Sequence, residues 1–130
     1  MESVSAPQSP EVIGSILERL NGHEIAALQV LGINSLKSVD PPPHALAGLT
    51  IKSTGVSDRV FRLLVGAYEV VIDLQRTGKV VWLDSAEPFQ MAPDVTRPTV
   101  RLILADGTGI DLTEPAKTKR ITVALTRLDG

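Results

Sequence analysis

Eight apolar runs of strand length, separated by turn signals, dominate this chain. They lie at 24–33, 49–54, 59–65, 68–74, 80–83, 99–104, 109–112 and 120–128. Runs this short, rich in Val, Leu and Ile and bounded by Gly, Pro, Asn or Asp, suit strands far better than helices. Gly66-Ala67 and Thr77-Gly78 separate three successive runs at hairpin spacing, which predicts a meander. Ala105-Asp106-Gly107-Thr108 is a further turn signal. The segment 34–43 ends in Pro41-Pro42-Pro43, which cannot pair in a central ladder, and is expected as a loop. A helical turn is expected at 44–48, and 84–98 is a second proline-punctuated link. The expected fold is mainly β (α+β): a β-sandwich or flattened barrel of seven to eight short, mostly antiparallel strands, led by an N-terminal amphipathic helix.

That helix has a clear start. Ser9 is a natural N-cap, Pro10 fits the first helical position and Glu11 complements the dipole. Val12, Ile13, Ile16, Leu17 and Leu20 then form one apolar stripe, and Asn21-Gly22 stops the helix. Residues 1–8 are expected to be a mobile tail and 9–130 a single domain. At 130 residues such a domain buries roughly two-thirds of its unfolded surface. Hydrophobic residues make up 43% of the chain but aromatics only 3%, so the core must be aliphatic.

Several kinds of chemistry are excluded at this level. The chain has no cysteine, so disulfides, thiolate zinc sites and cysteine nucleophiles do not arise. His23 and His44 have no ligand partner at metal-binding spacing, and no metal or cofactor is expected. Gly107 and Gly109 precede a strand, not the helix a phosphate loop requires. No segment has the pattern of a secretory signal or the length of a membrane span, which points to a cytoplasmic protein without a membrane partner. The formal net charge of -2 argues against a domain that is basic overall, and leaves any nucleic-acid contact to a local patch.

The order PQSPEVIGSILERL, apolar strand, proline-bearing loop, Leu-x-Gly turn, meandering hairpins and VRLILADGTGIDLTEPAKTKR resembles the N-terminal domain of the Fpg/Nei family of DNA glycosylases. The resemblance covers nearly the whole chain. It implies a β-sandwich, double-stranded DNA as partner and base excision repair as the setting. The family's second domain, with its helix-two-turn-helix element and zinc finger, has no counterpart in these residues.

Residue by residue, the resemblance also implies loss of chemistry. The family's catalytic proline corresponds to Pro7, whose nitrogen is acylated by Ala6 and cannot attack a sugar carbon as a free amine does. The catalytic glutamate that follows is Gln8, which cannot accept and return a proton. Pro10 and Glu11 do match, although a helix start needs the same pair. A lysine that contacts DNA corresponds to Arg59. The His-Leu-Gly-Met-Ser-Gly signature becomes Asp73-Leu74-Gln75-Arg76-Thr77-Gly78, so the inserting methionine is Arg76. The Asn-Asp-Pro-Arg-Arg-Phe-Gly signature becomes Thr113-Glu114-Pro115-Ala116-Lys117-Thr118-Lys119, which lacks the wedge aromatic. Neither Arg76 nor Thr118 is an apolar wedge of the kind that offsets unstacking.

The catalytic positions are thus Pro7, Gln8 and Glu11, expected to be inactive, and the expected DNA-binding residues are Arg59, Arg76, Lys117, Lys119 and Arg120. The expected activity is a glycosylase-like domain without catalysis that binds duplex DNA weakly. Two alternatives stand beside it: a protein-interaction sandwich that meets a partner or a second copy, and a fragment of an active glycosylase/AP lyase.

Overall fold

The computed structural model describes residues 8–32, 35–37, 42–90, 97–115 and 120–128. Helix α1 (Pro10–Glu18) leads into β1 (Ile25–Val30), and a 3-10 turn at Pro43–Leu46 precedes β2 (Ile51–Ser57), β3 (Val60–Val65), β4 (Tyr68–Asp73) and β5 (Lys79–Leu83). After the second link come β6 (Val100–Leu104), β7 (Gly109–Thr113) and β8 (Thr122–Arg127). The strands form two four-stranded antiparallel sheets, β1-β6-β7-β5 and β2-β3-β4-β8. The architecture is a β-sandwich and not a closed barrel.

Alternation sets the core. Phe61, Leu63 and Val65 of β3, Val70 and Ile72 of β4, and Val123 and Leu125 of β8 are buried against Leu102, Ile110 and Leu112 of the other sheet. Packing leaves an apolar cavity of only about 10 Å³ between the sheets, too small to admit more than a water. The interior is therefore structural, with no room for a ligand.

Helix α1 packs on β2 and β5, the outer strands at one end of each sheet. Its start is as expected: the Ser9 hydroxyl accepts the Val12 N–H at 3.2 Å, with Pro10 in the first turn. Ile13, Leu17 and Leu20 face the core, but Val12 remains 48% exposed. At about 100° per residue, a face centred on Ile13 and Leu17 leaves Val12 at its margin, so the expected stripe is narrower than the sequence suggests. Gly22, at φ 86, ends the helix region, and its N–H donates to Ile51 O at 2.8 Å. No described helix is long and apolar enough to cross a membrane.

Two further expectations need correction. Thr77-Gly78 is not a hairpin turn: β4 pairs with β3 and β8, whereas β5 pairs with β7 in the opposite sheet. Residues 74–78 are a crossover between the sheets, made possible because Leu74 turns fully into the core. A hairpin turn lies instead at Asp58-Arg59, with Asp58 at φ 55, which takes Arg59 out of the strand that the sequence assigns to it. Within the segment expected as a loop, Ser35 O accepts the Val123 N–H and the Lys37 N–H donates to Val123 O, both at 2.8 Å, which makes an isolated parallel bridge between Leu36 and Val123.

Residues 84–90 coat the outer face of the first sheet. Ala86 donates to Gly107 O at 2.7 Å, and the Phe89 N–H donates to Gln29 Oε1 at 2.8 Å. This cover explains why Ile103 and Asp111, which point away from the inter-sheet core, are nevertheless buried.

Candidate functional site

The crossover between the sheets gathers four of the residues that the sequence singles out. Arg59 enters from the β2–β3 turn and spends all three of its guanidinium nitrogens on backbone carbonyls. Nε donates to Gln75 O at 2.9 Å, Nη1 to Gln8 O at 2.8 Å, and Nη2 to Gly78 O. The half-buried arginine thereby ties the N-terminal segment to both sides of the 75–78 turn. All three acceptors are neutral backbone carbonyls, not carboxylates.

Gln8 is fixed at both ends of its side chain. Its Nε2 donates to Val80 O at 2.9 Å and its Oε1 accepts the Val80 N–H at 2.7 Å. The carboxamide thus copies a peptide group of a neighbouring strand and closes part of the β5 edge, the kind of edge that otherwise invites unwanted pairing. Gln8 belongs to the tail expected from sequence, yet here it is anchored.

The turn itself is tightly specified. Gln75 has φ 60, a left-handed value that costs a non-glycine residue about 1–2 kcal/mol. Its N–H is taken by Asp73 Oδ1 at 2.8 Å, and Gly78 donates to Leu74 O at 3.0 Å. A Cβ on Gly78 would lie 2.4 Å from Leu74 O and 3.0 Å from Ile121 Cδ1, so this position has no room for a side chain. Arg76 and Thr77 are exposed at the tip.

Ile121 lies against this turn, and its chain neighbour Arg120 is exposed, with its N–H donating to Glu114 Oε1 at 2.7 Å. Glu114 is buried and also accepts from Thr99 Oγ1 and the Ile121 N–H, each at 3.1 Å. Sequence reading passes over Glu114 as a functional residue. Its signal, an acid between a strand end and a proline, is too common to separate from an ordinary turn. Pro7, Lys117 and Lys119 lie outside the described residues. Glu11 is exposed in the first turn of α1 and borders a shallow groove of about 430 Å³ with Gly14, Ser15, Glu18 and Val56, on the helix flank of the molecule.

Gln8, Arg59, Arg76 and Arg120 are thus associated with one end of the sandwich, through backbone linkages in three cases and through Ile121 in the last. Among the described residues, no group of three or more His, Asp or Glu side chains is placed to hold a metal ion. The arrangement offers exposed cations, Arg76 and Arg120, on an ordered frame.

The same path of the backbone recurs in solved structures of Lactococcus lactis Fpg. In the complex with abasic-site DNA the match has a TM-score of 0.70 at 16% identity, covering 90% of this chain and 42% of that one. The wild-type protein with DNA containing an oxidized pyrimidine gives a TM-score of 0.70 at 20% identity, over 95% and 45% of the two chains. This chain has an Fpg-like fold. The complex of the same protein with N7-benzyl-Fapy-dG DNA agrees, with a TM-score of 0.71 at 16% identity. The chain spans less than half the length of these proteins. No family model and no curated protein matches the sequence.

Proposed function

We propose that this chain is a DNA-binding domain of the Fpg type whose glycosylase and lyase chemistry has been lost. The Fpg-like fold and the DNA-bound state of the proteins that share it support the first half. Exposed Arg76 and Arg120 at one end of the sandwich supply cations that suit phosphate contacts, which carry most nonspecific affinity for duplex DNA. With a net charge of -2 overall, that affinity is weak and steeply dependent on salt.

The observation that carries the second half is the double hydrogen bond between the Gln8 side chain and Val80. One end of the side chain faces an N–H and the other a C=O, which is a site for an amide. A carboxylate, acceptor at both ends, does not fit it. The residue matching the family's catalytic acid therefore does structural work, and the matching nucleophile, Pro7, has its nitrogen tied up in a peptide bond.

The test is borohydride trapping on an abasic-site duplex, with the chain as given and with a form beginning at Pro7. We expect neither to be trapped, while both bind the duplex weakly at low salt. Trapping of the shortened form alone would mean that the site is intact and awaits a free amine, and the loss of chemistry would have to be given up.

A further inference from the structure

We infer that Arg59 is a positioning residue: it holds the 74–78 crossover rigid so that Arg76, rather than Arg59 itself, meets a phosphate of duplex DNA. The inference rests on the DNA-binding reading above and names which cation reads the backbone and what aims it.

The geometry assigns the two arginines different work. Donors on all three guanidinium nitrogens of Arg59 are committed to Gln8, Gln75 and Gly78, and the last two acceptors bracket Arg76 in the chain. The two N–H donors that remain, one on each Nη, belong to a half-buried group, so a phosphate reaches Arg59 less readily than a fully exposed arginine. Arg76 is exposed at the tip of the turn. Its backbone direction follows from Gln75, whose left-handed φ of 60 is held by Asp73 on the N–H side and by Arg59 on the C=O side. Conformations of this kind persist only where neighbours over-determine them. A cation on a backbone already ordered gives up less entropy on meeting a phosphate than one on a loose loop. Lysine in place of Arg59 keeps the charge but lacks the planar fork that reaches three carbonyls at once.

The experiment is a double-mutant cycle on a short duplex, titrated against salt, with amide hydrogen exchange on the free proteins. Arg76→Ala should weaken binding by roughly three- to tenfold and lower the salt slope by about one. Arg59→Lys should do the same although the charge is kept, and the double variant should be no weaker than Arg76→Ala alone. In the free protein, Arg59→Lys should speed exchange at Gln75 and Gly78 by roughly tenfold while β3 and β4 stay protected. Binding by Arg59→Lys at the wild-type level, or losses that add in the double variant, would overturn the proposal. A wild-type chain with no affinity for DNA overturns the DNA-binding reading and the Arg76 half of the proposal. The exchange data still decide the Arg59 half, which fails if protection at Gln75 and Gly78 is unchanged.

Discussion

The outer face of the first sheet and the crossover end of the sandwich treat charge in opposite ways. On the sheet face, Arg101 meets Asp111 in a two-pronged pair, Nε to Oδ1 at 2.7 Å and Nη2 to Oδ2 at 2.9 Å. Its Nη1 donates to Glu87 O at 2.9 Å, and its guanidinium lies 5.6 Å from the Phe89 ring centre. The hydrogen bond to Asp111 raises the Arg101 pKa above its ordinary value, against the opposing effect of burial. At the crossover, Arg59 is held as firmly, but by carbonyl dipoles that leave its charge uncancelled. A neutralised, covered arginine glues a link to a sheet. An arginine held by neutral groups keeps a positive charge beside exposed Arg76, which is the arrangement that the proposed DNA contact uses.

The largest effect should come from breaking the pair. Asp111→Ala leaves a largely buried guanidinium without its counter-ion and should cost about 3 kcal/mol, read as a lower urea midpoint. Replacing both partners, as Arg101→Met with Asp111→Leu, should recover most of that loss, because the pair as a whole contributes little beyond an apolar packing of equal volume. If the double replacement were as unstable as the single, the sheet face would depend on the ion pair itself and the contrast with the crossover would narrow.

The crossover should respond in the reverse sense, to a carboxylate gained. Gln8→Glu removes the donor to Val80 O and sets two acceptors against each other, at a cost of about 1–2 kcal/mol at neutral pH. No borohydride trapping should accompany it, since the Pro7 nitrogen remains an amide. Unchanged stability would mean that the carboxamide–Val80 bonds contribute nothing, and the case for Gln8 as a structural residue would be lost.

How far the sequence reveals these two regions depends on the range of the interactions. The helix start was legible because Ser9, Pro10 and Val12 are neighbours and capping is local. The eight strands were legible because their period and length are written in consecutive residues. The destination of β5 was not: Thr77-Gly78 looks like a hairpin turn from its own residues, and only the burial of Leu74 and the pairing with β7 send the chain across. The candidate site divides likewise. The resemblance picked out Gln8, Arg59 and Arg76 as positions, but the bonds that define their work span 16 to 72 residues, as in Arg59 to Gln75 and Gln8 to Val80. Glu114, which organises the approach to Arg120, acts through partners up to 15 residues away and carries no local mark.

The smallest effect belongs to the turn that closes the first sheet, and it sharpens the contrast. Asp106, at the β6–β7 turn, accepts from the Thr108 hydroxyl at 2.6 Å and from the Thr108 N–H at 3.0 Å, and lies 3.5 Å from His23 Nδ1. The Thr108 hydroxyl bond is the main reason its pKa sits below the usual aspartate value, with the backbone bond and His23 adding to it. A carboxyl whose pKa is lower in the folded chain than in the unfolded one stabilises the fold above the unfolded value, about 3.9, and the gain disappears as pH falls through the folded value. Thr108→Val should therefore raise the Asp106 titration midpoint, followed by its carboxyl carbon shift, and flatten the acid limb of stability, with a small loss at neutral pH that disappears below the folded value. A midpoint that stays put would move the cause from Thr108 to His23, and His23→Gln would then be the variant that shifts it. Either way this carboxylate is satisfied within its own hairpin or by its near neighbour, as Asp111 is by Arg101, whereas the crossover's carboxylates, Asp73 and Glu114, hold backbone N–H groups of Gln75, Arg120 and Ile121 while Arg76 and Arg120 stay exposed at that end.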